Sequence, residues 1–418
     1  MTEKLLQYIW QFQHFNRDGL VTVKNESIQV IHPGQLNHDQ GPDFLDARIK
    51  IGDTILAGSI ELHLKTSDWQ RHNHSSDANY KNVILHVVYR NDEPQPTTLP
   101  LLELESRISN LLLKKYEQLM VNNNFIACSN SIVQVKEITW LAWKERLLAE
   151  RLTRKSKKIF ELLERSNRHW EETFWWLLAR NFGIKVNADA FEEIARSIPV
   201  SVLARHKAQI HQLEALLFGQ ANLLTGNFND DYLQLLRREY KFLQKKYNLK
   251  PIHTPVHFLR MRPGNFPTVR LAQLAMLVLN STHLFSKILE ATDVLEIKQL
   301  FSITANDYWH YHYRLDETSD YKPKKLGLNM ISNIIINAAA PMVFAYGLHH
   351  KKEDYKMKAL RWLDELPAET NVIITGFKRL MLPIRSSFDS QSLIELKTQY
   401  CEDKRCLQCA VGNAILKS

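Results

Sequence analysis

The hydrophobic pattern of this 418-residue chain changes its period once, and that change is the feature that most constrains the fold. Up to about residue 108, short runs of alternating apolar and polar residues are separated by turns rich in glycine and proline, as in β-strands. From about Lys136, apolar residues recur three and four positions apart, as on one face of a helix. With only 13 glycines and 14 prolines, the second part favours helix over loop. We therefore predict a mixed α/β domain followed by a mainly α-helical domain.

The predicted segments are residues 1–115 for the α/β domain, 136–365 for the mainly α-helical domain and 366–418 for a short helical tail with a cysteine cluster. In the first domain we expect a helix at about 5–15, strands at 28–31, 46–51, 54–65, 82–89 and 99–104, and one short helix between residues 69 and 81. In the second domain we expect helices at 171–181, 188–197, 200–217, 230–247, 269–279, 285–290 and 329–346.

Two acids and two nitrogen bases form the most informative group in the first domain. Asp43 follows a Gly-Pro turn, and Glu61, His63 and Lys65 alternate along the strand expected at 54–65, so these three share one face. Two carboxylates that converge on one point suit Mg²⁺ or Mn²⁺, and a nearby base can orient the attacking water. The pattern predicts Asp43 and Glu61 as metal ligands, with His63 or Lys65 beside the water. A solvated strand face is the alternative interpretation.

Pro42-Asp43 followed by Glu61-x-His63, in the strand order α-β-β-β-α-β, resembles the PD-(D/E)xK nuclease superfamily. The signature of that superfamily is Pro-Asp and a later carboxylate-x-lysine on adjacent strands. The resemblance covers about the first hundred residues and implies a restriction-endonuclease-like fold with metal-dependent phosphodiester cleavage. His63 occupies the lysine position, and Lys65 lies two residues further along the strand. In the first helix, Glu3 is a weaker match to a further acid of the superfamily.

Over its whole length the sequence resembles an uncharacterised bacterial family of unknown function. The matching residues are Gly41-Pro42-Asp43-Phe44, Ile60-Glu61-Leu62-His63 with Ser67-Asp68-Trp69, His72-x-His74 with Asp77-x-x-Tyr80, Arg260-x-Arg262-Pro263 with Phe266-Pro267, and Cys406-Leu407-Gln408-Cys409. That family has no assigned activity, so this resemblance implies none.

The polar stretch after the predicted metal-binding strand is rich in histidine. His72, His74 and Asp77 have the residue types that ligate zinc or manganese, and His86 follows on the next strand. Either histidine is also suited to carry a proton. In the resembled nucleases a helix with a tyrosine can follow the catalytic strand, and Tyr80 occupies a comparable position. We predict that these residues line the site; a polar loop without such a role is the alternative.

Three of the four cysteines, Cys401, Cys406 and Cys409, lie within nine positions near the end of the chain, and Cys128 is the fourth. Four thiolates could bind zinc or an iron–sulfur cluster. One branch of the resembled nucleases holds an iron–sulfur cluster with one distant cysteine and three late ones, although the spacing there is different. Free thiols in a reducing compartment are the alternative.

The formal charge of +9 permits a polyanionic partner such as DNA or RNA. Arg260, Arg262 and Arg270 flank a proline-rich loop and are predicted to contact phosphates, while the aromatic run 308–314 could stack bases. The alternative for the arginines is that they satisfy backbone carbonyls at helix ends. The alternative for the aromatic run is that it belongs to the core. The basic stripe at 151–158 is expected to be a solvated helix face.

The sequence favours a cytoplasmic protein, because it opens without a signal peptide and carries few cysteines. The apolar stretches 274–279 and 334–348 are short or interrupted by Asn337 and Pro341, so we expect neither to cross a bilayer. The leading hypothesis is a divalent-metal-dependent nuclease or another nucleic-acid-processing enzyme. The alternatives are a non-catalytic nucleic-acid-binding or assembly protein, and a metal-dependent hydrolase that uses His72, His74 and Asp77.

Overall fold

The computed structural model describes residues 1–37, 39–93, 98–281 and 283–417. Two compact units are present: Met1–Trp143 together with Leu396–Ser418, here called the N-terminal unit, and Lys144–Glu395, here called the helical unit. The N-terminal unit contains a mixed α/β fold and the remainder is mostly helical, which confirms the predicted fold class at that level. The predicted segment 366–418 is not a separate unit, because Cys406 and Leu416 belong to the apolar core of the N-terminal unit.

A six-stranded sheet forms the centre of the N-terminal unit. Its strands are β1 (Ile28–His32), β2 (Gln35–Leu36), β3 (Phe44–Ile51), β4 (Thr54–Lys65), β5 (Val83–Arg90) and β6 (Leu101–Glu103). The strand order is β1-β3-β4-β5-β6, and β2 pairs with β3. Pairing is antiparallel from β1 through β4 and parallel from β4 through β6. The parallel step requires a crossover, and residues 66–82 form it.

Four helices accompany the sheet in the N-terminal unit: α1 (Glu3–Gln11), α2 (Asp68–Arg71), α3 (Asn110–Val121) and a last helix, Ala410–Lys417. Shorter turns of 3₁₀ helix lie at His74–Ser76, Ala78–Tyr80, Glu105–Arg107, Ile132–Gln134 and Cys406–Gln408, and a π-helical turn at Lys397–Cys401. The crossover thus holds α2 and two 3₁₀ turns where one short helix was predicted.

Strand alternation separates the apolar core from the polar face of β4 and β5. Ile60, Leu62 and Leu85 pack with α1 in the apolar core. Glu61 and His86 are adjacent partners on the parallel strands β4 and β5 and point to the opposite face. There the crossover covers them, so that Glu61 is 5% exposed and His86 1% exposed. This face is therefore buried although its residues are polar.

Helices make up most of the helical unit. The long helix Glu137–Arg165 begins in the N-terminal unit and is followed by Trp170–Phe182, Ala188–Ser197, Val200–His206, Ile210–Gln220, Asp231–Tyr247, Pro267–Asn280, Leu284–Glu290, Val294–Leu300, Leu328–Ile334, Ala340–His349, Glu353–Glu365, Val372–Arg379 and Ser387–Leu396. A two-stranded hairpin pairs His312–Arg314 with Glu317–Thr318, 3₁₀ turns lie at Pro263–Asn265 and Asp307–Tyr311, and a π-helical turn at Ile335–Ala339.

The single helix predicted at 200–217 is wrong, because the chain forms two helices there. The first helix ends at His206, and Gln209, which has an extended backbone, directly precedes the second helix at Ile210. The buried His206 contacts Gln212 Oε1 at 2.5 Å and Tyr247 Oη at 2.9 Å, which fixes the corner between them.

The helix predicted at 329–346 is present, and residues 328–349 form one continuous helical rod that includes Asn337 and Pro341. The π-helical turn Ile335–Ala339 precedes Pro341, and such a turn accommodates the hydrogen bond that a proline cannot donate. This rod is long and apolar enough to cross a membrane by length and composition, but 67% of its most apolar window is buried inside the fold. A buried core helix can have the same length and apolar composition as a membrane-spanning helix.

The basic stripe at 151–158 is only partly solvated, contrary to expectation. Arg151 and Arg154 form ion pairs with the buried Glu395. Lys155 Nζ donates to Asn337 Oδ1 at 3.0 Å and to Gln391 Oε1 at 3.4 Å. Helical periodicity shows that these basic residues share one face of the helix. It does not show that an acid distant in sequence, such as Glu395, pairs with them.

Candidate functional site

Asp43 and Glu61 lie side by side on adjacent strands of the N-terminal unit. Gly41 has φ +112°, a conformation that favours glycine, and the turn it forms leads through Pro42 to Asp43 at the start of β3. The backbone amide of Asp43 donates to Glu61 Oε2 at 3.0 Å, and the amide of Leu62 donates to Asp43 Oδ2 at 3.0 Å. Each acid is therefore positioned by the strand that carries the other.

Burial places both acids in an unfavourable environment for two negative charges. It raises the pKa of Asp43, and hydrogen bonds from Leu62 and Gln7 lower that pKa in part. Burial also raises the pKa of Glu61, and the negative charge of Asp43 raises it further. Glu3, on α1, adds to the repulsion at both acids. A bound cation would relieve this repulsion.

Histidines from three segments converge beside Glu61. His63 lies on β4, while His72 and His74 flank Asn73, whose φ of +58° reverses the chain so that both rings reach His63. His63 Nε2 lies 3.2 Å from His72 Nδ1 and 3.3 Å from His74 Nε2. One nitrogen from each of the three rings lies within 4.8 Å of the others, a spacing at which they could hold a metal ion.

Glu61 extends this histidine group. Its Oε1 lies 3.4 Å from His63 Nε2 and 3.3 Å from His74 Nε2. Donor atoms that share one ion at bond lengths near 2.1 Å are separated by about 3.0–3.4 Å along the edges of a tetrahedral or octahedral shell. The four separations that link these residues, 3.2–3.4 Å, match that range, and the three rings have the spacing for a shared ion, so Glu61, His63, His72 and His74 are candidate ligands of a divalent cation. We call them the His–Glu cluster.

The neighbours of His63 indicate which of its ring nitrogens carries the proton. A ring nitrogen carries either one proton or one lone pair, yet His63 Nε2 faces three polar atoms of the cluster. The other ring nitrogen of His63, Nδ1, lies 2.9 Å from His86 Nε2. With the proton on His63 Nδ1, the lone pair of Nε2 points into the cluster, which is the tautomer that a metal ligand requires.

The buried histidines are held neutral. Burial, together with the neighbouring histidines, lowers the pKa of His63 to about 2 and that of His86 to about 4. Burial and His72 also lower the pKa of His74, although Asp77 partly opposes them. Neutral imidazole is the form in which histidine can bind a metal ion.

Aromatic side chains from the crossover enclose the His–Glu cluster. The ring of Tyr80 stacks on His74 with centroids 3.8 Å apart, and burial raises the pKa of Tyr80 to about 12. Trp69 packs edge-on against His63 and His74 and donates its indole N–H to Ser75 Oγ at 3.0 Å. His72 is exposed, so the site opens to solvent on its side.

The remaining predicted residues of this region lie outside the His–Glu cluster. Lys65 has a 58% exposed side chain, and its Nζ lies 4.0 Å from an Asp92 oxygen. Asp77 accepts a hydrogen bond from the amide of Asn79 and caps the turn that holds Tyr80. The structure thus brings Asp43, Glu61, His63, His72, His74 and Tyr80 together, but not Lys65 or the carboxylate of Asp77.

The three predicted phosphate-binding arginines of the helical unit have different surroundings. Arg260 and Arg262 are exposed on the proline-rich loop. Arg270 is 6% exposed and donates to Gln273 Oε1 at 2.9 Å and Asn265 Oδ1 at 2.6 Å. It faces inward because the helix Pro267–Asn280 is buried along most of its length, so the prediction for Arg270 is wrong.

The aromatic run at 308–314 is largely internal. Trp309 is fully buried and stacks on Phe218 at 4.8 Å, and Tyr308 stacks on His312 at 4.1 Å. Tyr311 is 51% exposed. The core alternative therefore holds for most of this run.

All four cysteines line one small cavity in the N-terminal unit. The cavity has a volume of about 20 Å³, and Cys128, Cys401, Cys406 and Cys409 all border it together with Tyr400, Arg405 and Gly412. Cys406 and Cys409 are buried, and Cys128 and Cys401 are half-buried. Residues that are distant in sequence thus meet as predicted.

Some residues that build the site were not found by sequence reasoning. Gln7 donates to Asp43 Oδ1 at 2.7 Å from α1, and nothing in the helical pattern distinguishes it from other polar residues of that helix. Asn73 offered a signal, because asparagine between two polar histidines favours a left-handed turn.

Comparison with known proteins found one family. A family model described as "Protein of unknown function (DUF2851)" matches residues 3–372. No curated protein and no solved structure matched the chain.

Proposed function

The chain belongs to the DUF2851 family, and from its site we propose that the N-terminal unit is a divalent-metal-dependent phosphodiesterase that acts on nucleic acid. The observation that carries this proposal is the convergence of Glu61 Oε1, His63 Nε2 and His74 Nε2 at 3.3–3.4 Å, beside a second buried acid, Asp43. Such a group is costly to bury unless it binds a cation.

The donor types select among cations. Imidazole nitrogens favour Mn²⁺, Fe²⁺, Co²⁺ or Zn²⁺, whereas Mg²⁺ prefers an all-oxygen shell. Under this proposal His63, His72, His74 and Glu61 hold the ion, and His86 orients His63 from behind. A bound divalent ion lowers the pKa of water and offsets negative charge on a phosphate oxygen.

Asp43 is the second functional acid in this proposal. Gln7 and the Leu62 amide fix its carboxylate beside Glu61. It can share the cation with Glu61 or take the proton of the attacking water, and burial raises its pKa toward the range that suits a general base. In either role, replacing the carboxylate by an amide should stop the reaction without removing the hydrogen bond from Gln7.

Strand pairing and charge support a phosphodiester substrate. Antiparallel pairing of β3 with β4, followed by a parallel crossover to β5, agrees with the restriction-endonuclease-like fold that the Pro42-Asp43 and Glu61-x-His63 pattern implied. Acids and metal ligands on adjacent strands are also what that resemblance requires. The formal charge of +9 favours a polyanion such as DNA or RNA over a small neutral substrate.

Incubation of the full chain with single- and double-stranded DNA and RNA tests the proposal, with Mn²⁺, Zn²⁺, Co²⁺ or Mg²⁺ added separately. We expect cleavage with a transition-metal ion, and a loss of about 10²–10⁴-fold in rate for Asp43→Asn and Glu61→Gln. Asp53→Asn is the matched control, because Asp53 is a fully exposed acid in the turn between β3 and β4.

Cleavage that survives both Asp43→Asn and Glu61→Gln would assign the activity to another protein or another site. Salt-sensitive binding without cleavage under any of these ions would instead support the non-catalytic alternative. His72, His74 and Glu61 belong to one cluster here, so a hydrolase of other substrates would use the same ion.

A further inference from the structure

The four cysteines form a second group of potential metal ligands, separate from the His–Glu cluster. Cys128 follows α3, whereas Cys401, Cys406 and Cys409 lie between the π-helical turn Lys397–Cys401 and the last helix, Ala410–Lys417. More than 270 positions separate Cys128 from Cys401 (401 − 128 = 273), yet both border the same cavity of about 20 Å³. Chance alignment of every cysteine in the chain around one cavity is improbable.

Sulfur spacing distinguishes the possible ligands. One zinc ion with Zn–S bonds of about 2.3 Å draws its four sulfurs to within about 3.8 Å of one another. Among the residues that the structure describes, the His63–His72–His74 triad meets the 4.8 Å criterion for a shared ion, and no three cysteines do. No three cysteine sulfurs of the described residues are gathered closely enough to share one ion, which favours a multi-atom cluster over a single zinc ion.

The order of the cysteines along the chain favours the same ligand. Structural zinc sites usually combine two close cysteine pairs. Here three cysteines follow the spacing C-x₄-C-x₂-C and the fourth comes from a distant segment, a three-plus-one arrangement that occurs in iron–sulfur proteins.

The surroundings of the cavity suit a buried anionic cluster. Backbone amides of Val411 and Gly412 are hydrogen-bonded to the Cys409 thiol. Lys397 lies near Cys401, Lys404 lies near Cys406, and Arg405 borders the cavity. Amide donors and nearby cations are the features that stabilise thiolates.

Close packing at Gly412 fixes the geometry of the cysteine loop. A Cβ atom at this position would lie 2.2 Å from the carbonyl oxygen of Cys406, so only glycine allows the last helix to approach the loop. The loop is also held from α3, since Lys404 Nζ donates to the carbonyl oxygen of Met120 and to Asn123 Oδ1 at 3.0 Å.

We propose that Cys128, Cys401, Cys406 and Cys409 ligate an iron–sulfur cluster that joins the C-terminal helix to the segment after α3. The cluster is independent of the phosphodiesterase activity proposed above. It crosslinks two parts of the N-terminal unit that are distant in sequence, as a disulfide would in an oxidising compartment.

Metal and sulfide analysis of the full chain, purified without oxygen, tests this proposal. We expect two or four iron atoms with an equal amount of acid-labile sulfide per chain, and a brown colour with broad visible absorbance. Protein isolated without iron is to be reconstituted with Fe²⁺ and sulfide before analysis. One zinc ion per chain without sulfide, or failure to take up iron after reconstitution, would overturn the proposal.

Two variants separate this site from the His–Glu cluster. Cys401→Ser should lose the visible absorbance, and Cys401 is half-buried, so the substitution adds little strain. His74→Ala should retain the absorbance and the iron, because its ring belongs to the other group. Full absorbance in Cys401→Ser would contradict the assignment of this ligand. The composition of the unmodified protein decides the question even if a variant fails to fold.

Discussion

At the residue scale, the fold protects His63 from water and surrounds it with other polar groups. Its side chain is 2% exposed, and every polar neighbour within reach of its two nitrogens is a histidine or Glu61. Alternation along β4 predicted that Glu61 and His63 share a face. It did not predict that residues 68–80 fold over that face, and this burial keeps the base neutral among polar neighbours.

Replacing His86 by phenylalanine tests the positioning of His63. His86 Nε2 is 2.9 Å from His63 Nδ1, and phenylalanine keeps the volume while removing the hydrogen bond. We expect affinity for Mn²⁺ or Zn²⁺ to fall about 10–100-fold, as for other residues that orient a metal ligand. Titration calorimetry measures this change. His253→Phe, at an exposed position in the helical unit, is the control, and equal affinity in both variants would refute the role of His86.

Glu214 in the helical unit links stability to pH. It is fully buried, burial raises its pKa from 4.5 to about 7, and Tyr232 Oη donates to its Oε2 at 2.7 Å. The folded state therefore binds more protons than the unfolded state between these two pKa values, so the free energy of unfolding falls as pH rises through that window. The contribution is on the order of 3 kcal/mol.

Urea denaturation of Glu214→Gln against the unmodified protein isolates this effect. Glutamine keeps an acceptor for Tyr232 and cannot ionise, so the stability lost by the unmodified protein between about pH 4.5 and 7 should be absent from the variant. Identical pH profiles for the two proteins would show that Glu214 titrates normally.

At the element scale, the approach of β4 to β5 determines whether the ligands meet. A Cβ at Gly58 would lie 2.5 Å from the carbonyl oxygen of Asn82 and 2.6 Å from Ile84 Cγ2, so these parallel strands touch at their start. Glu61 and His63 follow Gly58 on β4, and His86 follows on β5. The distance between the two strands at Gly58 therefore affects the distances between the side chains of the His–Glu cluster and His86.

Gly58→Ala should therefore lower the free energy of unfolding by about 1–3 kcal/mol and weaken metal binding. Gly264→Ala is the matched control, because nothing lies within 4 Å of its added methyl group and its backbone does not require glycine. Chemical denaturation measures both variants. A Gly58→Ala protein as stable as the control would show that β4 and β5 can separate freely.

Elements with strong local signals were predictable from the sequence, and those set by distant contacts were not. The amphipathic helix Ala188–Ser197 was predicted at its observed bounds, and so was β4 at Thr54–Lys65. The corner at Gln209 depends on the contact of His206 with Tyr247, and the π-helical turn at Ile335–Ala339 depends on packing around Pro341. Periodicity contains no information on either contact.

At the scale of the whole molecule, the C-terminal residues return to the first unit rather than form a tail. Local pattern placed a boundary at residue 366, because helix signals alone do not reveal which core a helix joins. The clustering of Cys401, Cys406 and Cys409 was the one sequence signal of that return, since those thiols needed a fourth partner. The expected cytoplasmic location stays a prediction.

Nucleic-acid binding by the full chain should weaken steeply with salt. Arg260 and Arg262 are exposed on a proline-rich loop, and each phosphate contact removed should lower the slope of log affinity against log salt by about one. Filter binding of Arg262→Ala measures this slope. Arg205→Ala, an exposed arginine on the helix Val200–His206, should leave it unchanged. Equal slopes for all three proteins would exclude the loop as a phosphate contact.

The most direct test of the central claim is a crystal structure of the protein soaked in Mn²⁺, with anomalous scattering recorded at the manganese edge. We predict a peak within about 2.1 Å of Glu61 Oε1, His63 Nε2 and His74 Nε2. A well-occupied manganese site elsewhere, with the side chains of the His–Glu cluster still hydrogen-bonded to one another and no peak between them, would contradict the claim.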